Sequence, residues 1–295
     1  MGQTALSKSL LLRVTSIRFS HKALARMMAS GRRMRLSLRR RAARSMTNPD
    51  NSICANKREV ESRYRSLRDE LKSAERLNKA LKAGRVPAMV VSVLQNIEDA
   101  GLGQHFTVVG THALYAYEAA AGVRIVQGAL ATQDIDLLWD ARRRVRFITD
   151  SQWLDSSVLR VLQRSDSTFQ RKPGQNETTI NAKGFEVDFL RRQPVGDDPH
   201  PFRFSDDEDD LWPVQALRAS VLTNAARFKH IVVSATGRMA LMRTIAPATF
   251  VEFKHWMAAE APDRPEPKRR RDRRQADIVQ SMLDNGLLLP SAGTR

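Results

Sequence analysis

A single cysteine, Cys54, stands in 295 residues. That excludes an intramolecular disulfide and a thiolate-rich zinc site, and it points to a reducing, cytoplasmic setting. No apolar run approaches the roughly 18 consecutive residues of a membrane span. The longest, around Met89–Leu94 and Phe106–Val109, are strand-sized, so no membrane partner is expected. Acidic residues are missing from positions 1–45, which hold twelve Lys or Arg. Of the net charge of +17, only +5 therefore belongs to residues 46–295, an ordinary value for a soluble enzyme. Also absent are a G-x-x-x-x-G-K-[ST] phosphate loop, an H-E-x-x-H zinc motif and a G-x-S-x-G nucleophile elbow. Gly101-Leu102-Gly103 precedes an apolar run instead of following one, so it is no dinucleotide fingerprint.

The chain is 42% hydrophobic and 27% charged, enough to bury one substantial core or two modest ones. Its organisation is read in five parts. Residues 1–45 form a basic, Arg- and Ser-rich leader outside the fold. Three readings of it stand side by side: an organelle transit peptide, a nucleic-acid-binding arm, or translated upstream sequence ahead of a true start at Met46. Residues 46–103 are a helical lead-in: Val60, Tyr64, Leu67, Leu71, Leu77 and Leu81 recur at helical spacing up to Gly84, and a second helix spans Val86 to Ala100. Residues 104–196 alternate strand and helix patterns. Residues 197–213, with the acidic run Asp206–Asp210, read as a solvated connector. Residues 214–295 read as a hairpin across Ala235–Gly237 followed by two helices, at about 248–260 and 270–283. The expected fold class is α/β (α+β), a small mixed sheet with packed helices and a smaller, mostly helical C-terminal domain, with a cleft between them.

Chemistry concentrates in 104–196. Phe106–Thr111 is a short β-rich run that turns at Gly110 into a helix from His112 to Ala121, closed by Gly122. A short strand is expected at Val123–Val126, and a clear one at Gln133–Trp139. The strands Thr168–Arg171 and Thr178–Asn181 flank a turn at Lys172–Gln175, and Gly184–Leu190 is the last strand. Strand residues i and i+2 share a face, so Asp134 and Asp136 project together while Ile135 and Leu137 pack the other way. The same alternation sets Asp188 against the apolar Val187 and Phe189. If these two strands are neighbours, three carboxylates converge, and such a cluster calls for a cation or for raised pKa values. Magnesium, which takes oxygen ligands and completes its shell from water and phosphates, is the natural ion, with manganese as the alternative. An Asp-x-Asp pair alone is also common as a solvated edge. What sharpens it is Gly110-Thr111 at a strand end before a helix: glycine admits a phosphate close to the backbone, Thr111 offers a hydroxyl, and a helix N-terminus favours negative charge.

These elements, Val109-Gly110-Thr111, Asp134-Ile135-Asp136-Leu137 and Val187-Asp188-Phe189, resemble the nucleotidyltransferase superfamily related to DNA polymerase β. The wording GTHALYAYEAAAGV with TQDIDLLWD is similar to a little-characterised bacterial nucleotidyltransferase family over about residues 60–290. The chain departs from the superfamily in having Thr111 where Ser is usual, with the hydroxyl retained, and 22 residues between Thr111 and Asp134, room for one extra strand or loop. The resemblance implies a nucleoside triphosphate substrate and two bound cations. In it, Asp134 and Asp136 bind both metals, and Asp188 binds one and is the candidate to accept the proton of the attacking hydroxyl. The implied reaction is in-line attack on the α-phosphate with loss of pyrophosphate. Gly110 and Thr111 are the expected nucleotide contacts. Lys254 on a C-terminal helix is the candidate cation for the triphosphate, ahead of Arg271 and Arg274, although each also suits a solvated helix face. His112, His230 and His255 lack metal-ligand spacing and read as packing or surface residues. The acceptor, whether RNA, protein or small molecule, is not specified. Two other functions fit the same sequence: a non-catalytic interaction or toxin–antitoxin type module retaining the fold, and an RNA-binding protein using the leader and Lys268–Arg274.

Overall fold

The computed structural model describes residues 51–130, 132–140, 147, 157–196, 198, 202–205 and 207–288. The leader at 1–45 lies outside the described residues. The chain divides into two compact units. Among described residues, one comprises 89–232 and 240–295 without the masked positions, and the other 51–88 and 233–239.

The smaller unit is built on α1 (Asn51–Ala80), a single 30-residue helix. Within it, Asn78 Nδ2 donates to the Gly237 carbonyl at 3.2 Å, and Val86 bridges Ser234.

The larger unit begins with α2 (Ala88–Asp99), whose apolar positions Val90, Val93, Leu94 and Ile97 are all buried. Next come β1 (Phe106–Val109), a 3-10 turn at Gly110–His112, α3 (Ala113–Ala121) and a short α4 (Gln127–Leu130). Gly122 ends α3 at φ 66°, a left-handed conformation that glycine adopts without the Cβ penalty. After β2 (Asp134–Trp139) follow α5 (Val158–Gln163), β3 (Gln170–Lys172), β4 (Gln175–Ile180), β5 (Glu186–Arg191) and β6 (Val214–Gln215). The chain then forms α6 (Ala219–Asn224), the hairpin β7 (Arg227–Val233) and β8 (Met239–Ile245), and finally α7 (Pro247–Ala259) and α8 (Glu266–Asp284). The expected α/β architecture is present: a mixed sheet in the order β1-β2-β5-β4-β3, with β6 beside β5, and packed helices.

Two expectations change. Val123–Val126 is not a strand. Its alternation is real, since Val123 and Ile125 are buried, but its backbone bonds to α3 instead of a sheet: Val123 N–H donates to the Glu118 carbonyl and Ile125 N–H to the Glu118 carboxylate at 2.8 Å. The 22-residue gap is thus filled mainly by α3 and α4. In the acidic run, Asp207, Glu208 and Asp209 are exposed as a solvated stretch should be, but Asp210 is buried. Its carboxylate accepts from Val158 N–H and Leu159 N–H at 3.2 and 3.0 Å, supplying partners for the orphan donors at the start of α5.

Register decides which face of the sheet is dry. β2 and β5 run parallel with Ile135 beside Val187, Leu137 beside Phe189 and Trp139 beside Arg191. Trp139 and Phe189 join Phe106, Phe147, Phe202 and Phe204 in one aromatic cluster, where Trp139 stacks on Phe202 with centroids 4.2 Å apart and Phe189 meets Phe106 and Phe204 edge-on. This packing holds β2 and β5 in register from behind, so the residues between must project from the opposite face. Phe189→Ala, which opens a cavity in the cluster, is expected to cost about 3–5 kcal/mol of stability. Denaturant unfolding monitored by circular dichroism checks this through a lowered midpoint.

Candidate active site

On the other face of the same two strands the register sets Asp134 beside Glu186 and Asp136 beside Asp188. Strand periodicity accounts for Asp134 and Asp136 projecting together, and the parallel pairing brings Asp188 to them. One carboxylate oxygen from each of Asp134, Asp136 and Asp188 lies within 4.8 Å of the others, and all three side chains are half-buried. Asp134 accepts a short hydrogen bond from the Thr132 hydroxyl. Asp188 accepts one from the Thr178 hydroxyl at 2.6 Å, Thr178 being its register partner on β4. Beside them Glu186 is held by Lys172 at 2.7 Å.

The protonation of the cluster reflects its crowding. Burial, and then the neighbouring Asp134 and Asp188 charges, push the Asp136 carboxyl up to about 7, against partial relief from Lys254 and Arg264. Burial also raises Asp188, opposed by the Thr178 hydrogen bond and supported by the charges of Asp134, Glu186 and Glu177. An all-oxygen set of mutually repelling carboxylates has the donor chemistry that suits a hard divalent cation such as magnesium or manganese, and among the described residues neither nitrogen nor sulfur ligands join it.

The turn after β1 approaches the cluster from one side. Gly110 sits at φ 69°, and a Cβ there would collide with the Asp136 carboxylate, so glycine is required both by the backbone conformation and by the approach. Thr111 is buried, and its hydroxyl oxygen accepts from Gln275 Nε2 at 3.1 Å. His112 is buried, and among the described residues neither ring nitrogen has a hydrogen-bond partner of good geometry. Burial brings its pKa down to about 4, with Asp134 opposing, so it stays neutral.

Lys254 is buried on α7, and its amine donates to Asp272 on α8 at 2.7 Å. Arg264, in the connection between these helices, makes a short ion pair with the other oxygen of the same carboxylate. Burial alone would raise Asp272, but the two cations win and hold it below its usual range. Burial lowers Lys254, with Asp272 and Asp136 opposing. Lys254 and Arg264 both act on Asp136 through their charge. The sequence carries no sign of Arg264, and it places Asp272 and Gln275 in a segment similar to the family without a role for either. The available signal was a lone acid inside Lys268–Arg274, followed one helical turn later by a glutamine.

A family model described as nucleotidyltransferase matches residues 88–292, which include every residue of this cluster. No curated protein and no solved structure matches the chain.

The raised Asp136 pKa makes the cluster a liability when it is ionised. Its ordinary value is 3.8 and its folded value about 7, so the folded state binds the proton more tightly. The stability this gives is complete below the ordinary value and is lost as pH rises through about 7. Replacing Asp136 with Asn removes the group. The unfolding free energy of Asp136→Asn relative to wild type, without added metal, should therefore rise between about pH 5 and pH 8, by on the order of 1–2 kcal/mol once solvent screening is allowed for. Magnesium should raise the melting temperature of wild type at pH 8 and not that of the variant. Thermal denaturation across pH, with and without magnesium, checks both.

Proposed function

The chain belongs to the nucleotidyltransferase family whose model spans residues 88–292, and from that premise we propose that it transfers a nucleoside monophosphate from a nucleoside triphosphate to an acceptor hydroxyl, releasing pyrophosphate. The observation that carries this reading is the convergence of Asp134, Asp136 and Asp188 at one point beside the Gly110–Thr111 turn. Magnesium, or manganese in its place, supplies charge neutralisation at the triphosphate and activation of the attacking oxygen when bound, two ions in the two-metal form of this chemistry.

The residues of the chain have separate roles in this reading. Asp134 and Asp136, projecting from one strand, would supply oxygen ligands to the bound cations. Asp188 provides a further ligand and accepts the proton of the acceptor hydroxyl. The Thr178 hydrogen bond orients its carboxylate. The acceptor oxygen attacks the α-phosphorus, and the bond to the bridging oxygen breaks, so the electron pair leaves with pyrophosphate. Gly110 keeps the turn free of a side chain where the triphosphate approaches, and Thr111 offers its hydroxyl there. Lys254 and Arg264, positioned by Asp272, add positive potential that reaches Asp136.

No described helix is long and apolar enough to cross a membrane, and the lone Cys54 suits a cytoplasmic enzyme. Incubation with each α-labelled nucleoside triphosphate, magnesium and total RNA, protein or small-molecule fractions as acceptors tests the assignment. Label should pass to one fraction with wild type. Replacing both Asp134 and Asp136 with Asn should reduce transfer by at least about 10³-fold, the scale on which charge-stabilising groups act in such sites. Equal transfer by both proteins would exclude the assignment.

A further inference from the structure

Gln275 is fully buried on α8, one helical turn beyond Asp272, and both of its hydrogen bonds leave from the same nitrogen. Nε2 donates to the Ala129 carbonyl at 2.7 Å and to the Thr111 hydroxyl oxygen at 3.1 Å. The first bond decides the orientation of the amide, because a backbone carbonyl can only accept. The second bond then has a single polarity: the nitrogen donates and the Thr111 oxygen accepts. A threonine hydroxyl has one proton and two lone pairs. With a lone pair committed to Gln275, the proton must point elsewhere, and no acceptor among the described residues meets it. A buried donor left without a partner is costly, and this one sits next to Gly110, where the backbone has no side chain and abuts Asp136.

We infer that Gln275 is a positioning residue for the nucleotide, which fixes the Thr111 hydroxyl as a donor toward a triphosphate oxygen. The inference rests on the nucleotidyltransferase reading and deepens it by assigning the group that sets the polarity of the hydroxyl at the turn. It also gives α8 a second task. Asp272 gathers Lys254 and Arg264, while Gln275 reaches across to the Gly110–Thr111 turn and, through Ala129, to α4. An anion at the turn supplies the acceptor that the Thr111 proton lacks.

The test is a double-mutant cycle read as affinity for magnesium-loaded α,β-methylene nucleoside triphosphates, all four bases, by titration calorimetry. Thr111→Val should weaken binding about 10-fold, the scale of one hydrogen bond to a charged group, and Thr111→Ser should restore it. Gln275→Met, which keeps shape but cannot donate, should weaken it about 3- to 10-fold, and adding Gln275→Met to Thr111→Val should change nothing further beyond about 2-fold. Gln275→Glu draws the Thr111 proton to itself and should weaken binding at least as much as Gln275→Met, so it repeats the test if the methionine variant fails to fold. In turnover, Gln275→Met should raise KM with kcat within about 2-fold. Losses for the two single variants that multiply in the double variant would overturn the inference, as would full affinity in Thr111→Val. A wild-type chain that binds none of the four nucleotides would instead remove the nucleotidyltransferase reading itself.

Discussion

Mutual repulsion among three carboxylates whose oxygens lie within 4.8 Å of one another is the constraint around which the larger unit is arranged. Burial first, and then like charges this close, raise the cost of ionisation, and the raised pKa values of Asp136 and Asp188 reflect both. A fold can tolerate such a cluster only if the strands bearing it are held by something else. Here that is the aromatic packing behind β2 and β5, where Trp139 and Phe189 sit in the same register as the acids but face the opposite way. The stability of one face supports the electrostatic strain of the other.

The surroundings are graded in charge. Thr132 and Thr178 donate to Asp134 and Asp188 as neutral partners, while the full positive charges of Lys254 and Arg264 are tied to Asp272 instead of directly to the cluster. Had a lysine paired directly with Asp136, it would have neutralised the cluster and competed with a cation for the same oxygens. Routing both cations through Asp272 keeps their potential within reach of Asp136 while leaving the carboxylates' lone pairs available. The Gly110–Thr111 turn likewise brings no formal charge to the cluster: bare backbone approaches Asp136, and the neutral Thr111 hydroxyl accepts from Gln275.

What could be read in the sequence was local. The alternation in Asp134–Trp139 and Glu186–Arg191, the glycine that turns β1 into a helix, the hairpin from β7 to β8 and the two C-terminal helices each follow from residues a few positions apart. The pairing of β2 with β5 joins positions some fifty residues apart, so local patterning could make the convergence of Asp188 with Asp136 no more than conditional on those strands being neighbours. The failures have the same origin. Val123 and Ile125 alternate like a strand, but their backbone is claimed by Glu118. Asp210 looks like one more solvated acid until Val158 and Leu159 are found bonded to it. Asp272 and Gln275 are hidden in a run of arginines, because nothing in helical periodicity says that this face of α8 would be buried against a lysine and a threonine from distant segments.

The central claim is that the three acids form one cation site beside the nucleotide. Anomalous diffraction from crystals grown with manganese and an α,β-methylene nucleoside triphosphate measures it most directly. The account predicts an anomalous peak at about 2 Å from oxygens of Asp134, Asp136 and Asp188, with the triphosphate reaching the Gly110–Thr111 turn. Bound nucleotide in another part of the chain, with no anomalous peak between these carboxylates, would contradict it.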